Sequence, residues 1–257
     1  MKSRLISIIE TLLIGVFIFS IANLADIFGS YKKGDDIYSE SKQFFTYHEK
    51  GKDNGNNSET YTIDINGLQK INPDIIAWIY IKDTKVSYPL LQSTTNEEYL
   101  KKTFNNKTSD FGSIFVDYRN ASQLTDRYSL IYGHNTKNGS MFGSLKKYKD
   151  VNYYNQHPQI SIIYADKIYQ YEIFSAYTTY TDSPAYNFIY TGDGEYKIFL
   201  DKISGLSEIK TNIPTTVSDR IITLSTCTSR TENERFVVHA RLASVTQNNT
   251  PITIDKA

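Results

Sequence analysis

Residues 220–242 read RIITLSTCTSRTENERFVVHARL. The apolar, β-branched run Ile221–Leu224 leads to Cys227, polar residues fill Thr228–Glu234, and a second β-rich run begins at Arg235. Two such runs joined by a polar segment predict a pair of antiparallel strands. In that pairing Cys227 and Arg235 lie roughly opposite each other, beside the connecting loop.

Six further β-rich runs precede this pair, and three helical patterns interrupt them. The strand-like runs are Trp78–Ile81, Lys85–Leu91, Ser113–Asp117, Ser129–Tyr132, Gln159–Tyr164 and Lys167–Thr178. The helical patterns are Asp64–Ile71, Met141–Tyr148 and Glu195–Ile203. Eight short strands with few long helices predict a mostly β fold, a closed or nearly closed barrel with helical insertions. A doubly wound α/β sheet would need a regular strand–helix alternation, which this sequence lacks.

Composition narrows the functional classes. The 257 residues include 28 Lys+Arg and 28 Asp+Glu, so the formal net charge is zero. This balance argues against a nucleic-acid-binding protein, which normally carries a basic excess. One Cys excludes an internal disulfide framework and a multi-Cys zinc module. The apolar fraction of 40% is that of a globular protein.

The N-terminal 28 residues differ from the rest of the chain. Lys2 and Arg4 precede the run Leu5–Ala25, which contains one charged residue, Glu10. About twenty apolar residues are enough for a helix to cross a bilayer, so this segment predicts an uncleaved membrane anchor over 1–28. A cleaved signal peptide and a buried soluble helix are the alternatives. Basic residues on the short N-terminal side predict a single-pass plasma-membrane protein with the remaining chain on the extracellular face.

Residues 29–60 are mostly polar and predict a stalk between the anchor and a domain over 61–257. A weak helical stripe runs through the middle of this stalk, at Ile37, Phe44, Phe45 and Tyr47. Such a stripe is sufficient for one helix packed onto the domain, but not for a helix that is stable alone.

The lone thiol lies where a predicted strand meets a loop. Rigid scaffolds often present active-site groups at such positions, so Cys227 is either a catalytic thiol or an inert structural one. Arg235, opposite it, carries a permanent charge and several donors that can stabilise a developing oxyanion. A solvated arginine at the start of a strand is the alternative. Alternation places Arg235 on one face with Val237, His239 and Arg241, and places Phe236, Val238, Ala240 and Leu242 on the other.

A thiol enzyme also needs an acid–base group, and the chain has four histidines. His239 lies four residues beyond Arg235, about 13 Å along an extended strand and too far to serve the same thiol. His48 falls in the stalk, and His157 precedes a proline in a predicted turn. His134 follows a glycine at the exit of a predicted strand and is the best candidate. A solvent-facing loop histidine is its alternative.

Motifs of other chemistries are absent from the sequence. It contains no HExxH metal motif, no phosphate-binding glycine-rich loop and no Gly-x-Ser-x-Gly elbow. No metal or cofactor is therefore expected.

Several motifs together resemble a known family. TLSTC at 223–227, followed eight residues later by Arg235, resembles the signature of sortases, the membrane-anchored cysteine transpeptidases of Gram-positive bacteria. YGHN at 132–135 resembles their catalytic histidine segment. Four further features resemble class B sortases in particular. They are NPDIIAWI at 72–79, YPLLQ at 88–92, GSIFVDYRN at 112–120 and the helical pattern before the Cys strand. The resemblance covers about residues 64–245.

The resemblance implies a fold and a set of site residues. The fold is an eight-stranded sortase-type barrel with N-terminal helices and a helical insertion before the Cys strand. The implied catalytic residues are Cys227 as nucleophile, His134 as general acid/base and Arg235 at the oxyanion or substrate. Substrate contacts are expected of Ser225, Thr226 and Asn135.

The implied reaction is acyl transfer. The thiolate attacks a carbonyl within the C-terminal sorting motif of a surface protein, and an amine of a peptidoglycan precursor then resolves the thioester. A thiol peptidase that hydrolyses its acyl-enzyme is one alternative. A non-catalytic, membrane-anchored module that binds wall polymers is another.

Overall fold

The computed structural model describes residues 2–49, 59–188, 190, 192–228 and 231–248. Residues 50–58 of the predicted stalk lie outside the described residues, and so do residues 249–257 of the predicted domain.

The N-terminal part of the chain forms one continuous helix, α1, over Lys2–Ser41. The predicted anchor and the first part of the predicted stalk therefore share one helix. Its large apolar side chains between Leu12 and Ile21 are exposed, whereas Ile37 and Tyr38 are buried in the main core. Within the described parts of the chain, no helix combines the length and the apolarity that a bilayer crossing requires.

A β-hairpin and a short helix follow α1. Strand β1, Phe45–Glu49, pairs antiparallel with β2, Glu59–Ile63. The predicted helical stripe is thus divided between α1, which holds Ile37, a 3-10 turn that ends at Phe44, and β1, which holds Phe45 and Tyr47. The ring of Phe45 stacks on that of Trp78 with centroids 5.0 Å apart. Helix α2, Ile65–Ile71, begins as predicted, with the Asp64 side chain accepting a hydrogen bond from the first helical turn.

Eight further strands of the described chain close into a barrel, which confirms the predicted architecture. They are β3 Ile75–Tyr80, β4 Ser87–Leu91, β5 Ile114–Val116, β6 Tyr128–Tyr132, β7 Gln159–Ile163, β8 Lys167–Tyr180, β9 Ile221–Cys227 and β10 Glu234–Gln247. Around the barrel the order is β10-β8-β7-β3-β4-β5-β6-β9. Most pairs are antiparallel, but β4–β5 and β6–β9 are parallel.

The position of β9 decides where the functional groups meet. It lies between β6 and β10, parallel to the first and antiparallel to the second. The carboxyl ends of β6 and β9 and the amino end of β10 therefore share one rim of the barrel. The register places Cys227 opposite Arg235, as the sequence predicts, and Tyr132 opposite Ser225.

Side-chain alternation along β10 separates two cores. Phe236, Val238 and Ala240, which the sequence predicts on one face, lie in the main barrel core, and Val237 of the other face lies in a second cluster. That cluster is closed by helix α4, Asp193–Gly205, which is the predicted insertion before the Cys strand. Within the predicted range Glu195–Ile203, the side chains that α4 buries form one stripe, Tyr196, Phe199, Leu200 and Ile203. Burying a side chain of this kind contributes about 1.5–3 kcal/mol each, so the helix is held by packing.

The helix predicted over Met141–Tyr148 is wrong. The segment contains a 3-10 turn at Leu145–Lys149, and helix α3 follows at Val151–Gln156. Met141 has a φ of 49°, a conformation incompatible with an α-helix. The apolar side chains that suggested the helix, including Phe142, are buried because the loop itself packs into the core.

Candidate active site

One cavity opens at the rim where β6, β9 and β10 meet. Its volume is about 270 Å³, and its lining combines three strand ends with an earlier connecting segment. The lining residues are Asn96, Leu100, Phe115, Tyr132, Gly133, His134, Ser225, Thr226, Cys227 and Arg235. The three predicted catalytic residues and two of the three predicted substrate contacts therefore line the same cavity.

Cys227 is the last residue of β9 and is exposed. The six residues before it are all buried, so the strand is fixed in the barrel up to the point where the thiol emerges. This arrangement gives an accessible sulfur on a rigid support, as covalent catalysis requires.

Arg235 is held beside the thiol by its own hairpin. Its Nη1 donates to the backbone carbonyls of Glu232, at 2.6 Å, and Glu234, at 3.1 Å. Both acceptors are neutral carbonyls, so these bonds orient the guanidinium without neutralising its charge. A fixed cation beside Cys227 can stabilise negative charge that develops on a bound carbonyl.

His134 follows Gly133 at the end of β6. Its Nε2 lies 2.6 Å from the carbonyl oxygen of Leu100, which can only accept a hydrogen bond. Nε2 therefore carries a proton, and Nδ1 is the ring nitrogen available to exchange one. The loop is closed by Phe142, whose N–H donates to the His134 carbonyl at 3.0 Å.

Gly133 is required by a close approach. A Cβ on this residue would lie 2.6 Å from the ring of Phe142. Its N–H donates to the Ser225 carbonyl at 3.1 Å, which ties the histidine segment to the Cys strand.

Two hydroxyls precede the thiol on β9. Ser225 is buried, and its Oγ lies 2.7 Å from the hydroxyl of Tyr186. Burial raises the pKa of Tyr186 to about 12, against the lowering effects of Ser225 and Arg235, so the phenol stays protonated at neutral pH. Thr226 is buried too, and its hydroxyl has no hydrogen-bond partner among the described residues.

The remaining predicted site residue and the other histidines lie elsewhere. Asn135 is not among the cavity-lining residues and forms a β-bridge with Met141. His239 is fully buried, with hydrogen bonds to Thr223 and Tyr177. Neither His48 nor His157 lines the cavity.

Sequence reasoning missed several members of the cavity wall. Asn96, Leu100 and Phe115 come from the β4–β5 region, far from Cys227 in the chain. Tyr186 lies in the 3-10 turn Pro184–Tyr186 and touches Ser225 from outside the strand pair. No local pattern marks these residues; only the order of strands in the barrel brings them to the rim.

The chain was compared with known proteins. A family model described as "Sortase domain" matches residues 79–243. The chain is 34% identical over 253 residues to "Sortase B" of Listeria monocytogenes, covering 95% of this chain and 98% of the relative.

Two solved structures extend the comparison. A Staphylococcus aureus sortase B–substrate complex has a TM-score of 0.66 at 36% identity, covering 70% of this chain and 84% of that one. A sortase B complexed with triglycine has a TM-score of 0.66 at 35% identity, covering 70% and 85%. The chain belongs to the sortase family, in its class B, and is a cysteine transpeptidase.

Proposed function

We propose that Cys227 is the nucleophile that cleaves a C-terminal sorting motif and passes the acyl group to an amine of a peptidoglycan precursor. The observation that carries this assignment is the shared cavity: an exposed thiol, an imidazole and a guanidinium all line it. No other Cys exists in the chain to form the thioester.

The first half of the reaction forms the acyl-enzyme. The Cys227 thiol passes its proton to His134, its sulfur attacks the carbonyl carbon of the scissile peptide bond, and the carbonyl electron pair moves onto the oxygen. When the tetrahedral intermediate collapses, the C–N bond breaks and His134 protonates the leaving amine. The product is a thioester on Cys227.

The second half transfers the acyl group. An incoming amine attacks the thioester carbonyl, His134 accepts the proton that the amine loses, and the sulfur leaves as a thiolate. In both tetrahedral intermediates Arg235 stabilises the oxyanion. The bond energy of the original amide is kept in the thioester until the new amide forms.

Ser225 and Thr226 are proposed substrate contacts because both line the cavity. The unpartnered Thr226 hydroxyl supports this assignment, since a buried hydroxyl without a hydrogen bond is costly and a bound peptide can supply one. Asn135 stays a prediction, with its bridge to Met141 placing it beside the His134 loop.

The proposed partners are surface proteins with a sorting motif and a wall precursor that offers a primary amine. The solved relative bound to triglycine supports an unhindered glycine-type amine as the acceptor. The relative described as a sortase B–substrate complex supports a donor substrate bound at the matching site of this chain.

We further propose that residues 1–28 anchor the chain in the plasma membrane, with a stalk over 29–60 and the domain over 61–257 on the extracellular face. The large apolar side chains exposed on α1 between Leu12 and Ile21 support this assignment. The measurement is fractionation: full-length chain stays in the membrane pellet after an alkaline carbonate wash, and a chain lacking 1–28 does not. Recovery of both in the soluble fraction would contradict the anchor.

The catalytic proposal is tested with a peptide library and the full-length chain in detergent. Cleavage is followed by mass spectrometry, and triglycine is added as the amine. The wild type is expected to give a Cys227 adduct and a product extended by triglycine. The Cys227→Ala variant is expected to lose cleavage at least ~1,000-fold, because no other thiol replaces the nucleophile.

Two outcomes would contradict transpeptidation. If the products are the same with and without triglycine, the chain is a hydrolytic thiol peptidase. Because Cys227 is exposed to solvent, hydrolysis of the thioester is an available side reaction. If Cys227→Ala keeps its activity and no adduct forms, the thiol has no catalytic role and the wall-binding alternative gains support.

A further inference from the structure

A buried carboxylate lies directly behind the cavity wall. Asp117 is fully buried. The Arg119 side chain binds it at two points, with Nε donating to Oδ1 and Nη2 to Oδ2, both at 2.8 Å. Burial on its own raises the pKa of Asp117, but the hydrogen bonds from Arg119, Tyr132 and Asn96 outweigh it and lower the pKa. Asp117 is therefore a permanent anion at neutral pH.

This anion contacts two cavity-lining residues. Its Oδ2 accepts hydrogen bonds from the Tyr132 hydroxyl and from Nδ2 of Asn96, each at 2.8 Å. Tyr132 and Asn96 come from different parts of the chain, and Asp117 connects them because both side chains donate to its Oδ2. Asp117 itself does not line the cavity.

The link determines what Tyr132 can offer to a ligand. Burial and the neighbouring carboxylate raise the pKa of Tyr132, so its hydroxyl keeps its proton. Because that proton is donated to Asp117, the oxygen can only accept a hydrogen bond from anything bound in the cavity.

Two hydrogen bonds fix the orientation of the Asn96 side-chain amide. The backbone N–H of Tyr118 can only donate, and it lies 3.0 Å from Oδ1 of Asn96. The amide oxygen is thereby identified, and Nδ2 is the atom that faces Asp117. One N–H of Nδ2 is used by the carboxylate, and the second has no acceptor among the described residues and can donate to a ligand.

Arg119, which pairs with Asp117, also contacts Phe188 near Tyr186. The Arg119 guanidinium stacks on the Phe188 ring at 3.9 Å. Phe188 follows the turn that carries Tyr186, whose hydroxyl contacts Ser225. The Asp117–Arg119 pair thus contacts the cavity-lining Tyr132 and Asn96 and also the segment that follows Tyr186.

We infer that Asp117 is a positioning residue for transpeptidation, which fixes Tyr132 as an acceptor and Asn96 as a donor toward the backbone amides of the bound peptide. This inference rests on the proposed function, because it needs a peptide in this cavity. An acceptor and a donor at fixed positions match the N–H and C=O of a peptide backbone in one direction only, so Asp117 sets the direction in which substrate lies.

The test replaces the carboxylate by its isosteric amide, Asp117→Asn, in the full-length chain. In either orientation of the new amide, an N–H faces donors that a carboxylate oxygen accepted from. These are Tyr132 and Asn96 in one orientation and the backbone N–H and Nε of Arg119 in the other, so the cluster that aligns Tyr132 and Asn96 is disrupted in both. The matched control is Asp126→Asn in the same loop. Asp126 likewise accepts from an Asn amide, that of Asn120 at 3.0 Å, and from a backbone N–H, but it contacts no cavity residue.

Three readouts separate positioning from loss of fold. For the peptide that the wild type cleaves fastest, Asp117→Asn is expected to lower kcat/KM at least tenfold, mostly through KM. The rate at which iodoacetamide alkylates Cys227 is expected to stay within twofold, because Asp117 does not touch the thiol. The Asp126→Asn control is expected to keep kcat/KM within twofold of the wild type.

A second experiment does not depend on the folding of Asp117→Asn. Single N-methyl groups are placed along the peptide backbone, and binding to the Cys227→Ala variant is measured by fluorescence anisotropy. One N-methyl position is expected to weaken binding at least fivefold, and Tyr132→Phe, which deletes only the hydroxyl, is expected to abolish that sensitivity.

Several results would overturn the inference. They are kcat/KM of Asp117→Asn within twofold of wild type, an equal loss in Asp126→Asn, a parallel fall in the alkylation rate, or N-methyl sensitivity that survives Tyr132→Phe. Because the binding experiment uses a variant without the thiol, it is independent of whether Cys227 is the nucleophile. Failure of the proposed function and failure of this inference are therefore distinguishable.

Discussion

At the scale of single residues, Gly112 controls the support of the candidate acid/base. Its φ is +54°, a conformation that L side chains rarely adopt. A Cβ there would lie 2.6 Å from the carbonyl oxygen of Leu100 and 2.8 Å from Cδ2 of His134. The same Leu100 carbonyl accepts the hydrogen bond from the His134 ring.

We expect Gly112→Ala to damage stability and activity together. The strained φ and the clash with backbone are expected to cost about 2–4 kcal/mol, and displacement of the Leu100 carbonyl is expected to lower peptide cleavage at least tenfold. Urea unfolding and the cleavage assay measure the two effects.

The control for this change is Gly139→Ala. Gly139 also has a positive φ, +78°, but a Cβ there meets only Lys85 Cδ at 4.0 Å. It is expected to lose about 1–2 kcal/mol of stability and to keep its cleavage rate. Equal activity losses in the two variants would show that the conformation alone matters, not the contact with the His134 support.

The residues of the site differ in how far they can be predicted. The pairing of Cys227 with Arg235 follows from alternation and from a short connection, which are local features, and the structure has this register. Asn96 and Tyr186 have no such local signal. Their place beside the thiol depends on strand order around the barrel, which long-range packing decides.

At the scale of elements, the end of α1 packs against the loops that surround His134. The Tyr38 hydroxyl donates to the carbonyl of Gly112 and lies 3.2 Å from Oγ of Ser113. On the other side of the histidine, Asp35 accepts a 2.8 Å hydrogen bond from Ser140. The helix that leads away from the predicted anchor thus contacts both segments that border the candidate acid/base.

We expect Tyr38→Phe to destabilise the protein by about 1–3 kcal/mol, because the Gly112 carbonyl loses its donor in a buried setting. Chemical denaturation of the full-length chain in detergent gives this value. Ser39→Ala, one residue along the helix, removes an exposed hydroxyl that bonds only within α1 and is expected to change stability by less than about 0.5 kcal/mol. Indistinguishable midpoints for the two variants would argue against the docking contact.

Two segments have similar helical patterns in the sequence, but only one of them forms an α-helix. The stripe of α4 recurs regularly along the helix, and the helix buries those residues. The pattern over Met141–Tyr148 is apolar but contains Gly143, and a positive φ at Met141 interrupts it. Periodicity predicts a helix well where every turn contributes, and poorly where loop residues are buried for tertiary reasons.

At the scale of the whole molecule, one buried histidine links stability to pH. Burial lowers the pKa of His239 to about 3 from its ordinary value of 6.5. In the unfolded chain His239 therefore binds a proton below pH 6.5, whereas in the folded chain it binds one only near pH 3. The stability associated with neutral His239 is complete above pH 6.5 and is lost as the pH falls through this window.

We expect the free energy of unfolding to fall by about 1.4 kcal/mol per pH unit through this one group, or about 2 kcal/mol between pH 6.5 and pH 5. Urea midpoints at the two pH values measure the change. His239→Gln is expected to remove this part of the pH dependence, and His48→Gln, at an exposed position on β1, is expected to retain it. An unchanged slope in His239→Gln would assign the acid sensitivity to other groups.

The overall architecture was predictable in kind, but not in its connections. Eight strands and closure into a barrel follow from short β-rich runs at regular spacing. The two parallel pairs, β4–β5 and β6–β9, leave no local trace, since a parallel partner can lie anywhere along the chain.

The parallel contact between β6 and β9 has a consequence for the time at which the enzyme becomes competent. It joins Tyr132 to Ser225 across nearly a hundred residues of intervening chain, and closing so long a loop is entropically costly and slow. Until this contact closes, the chain holds a thiol with no imidazole beside it, and the onset of peptide cleavage marks the closure of this strand pair.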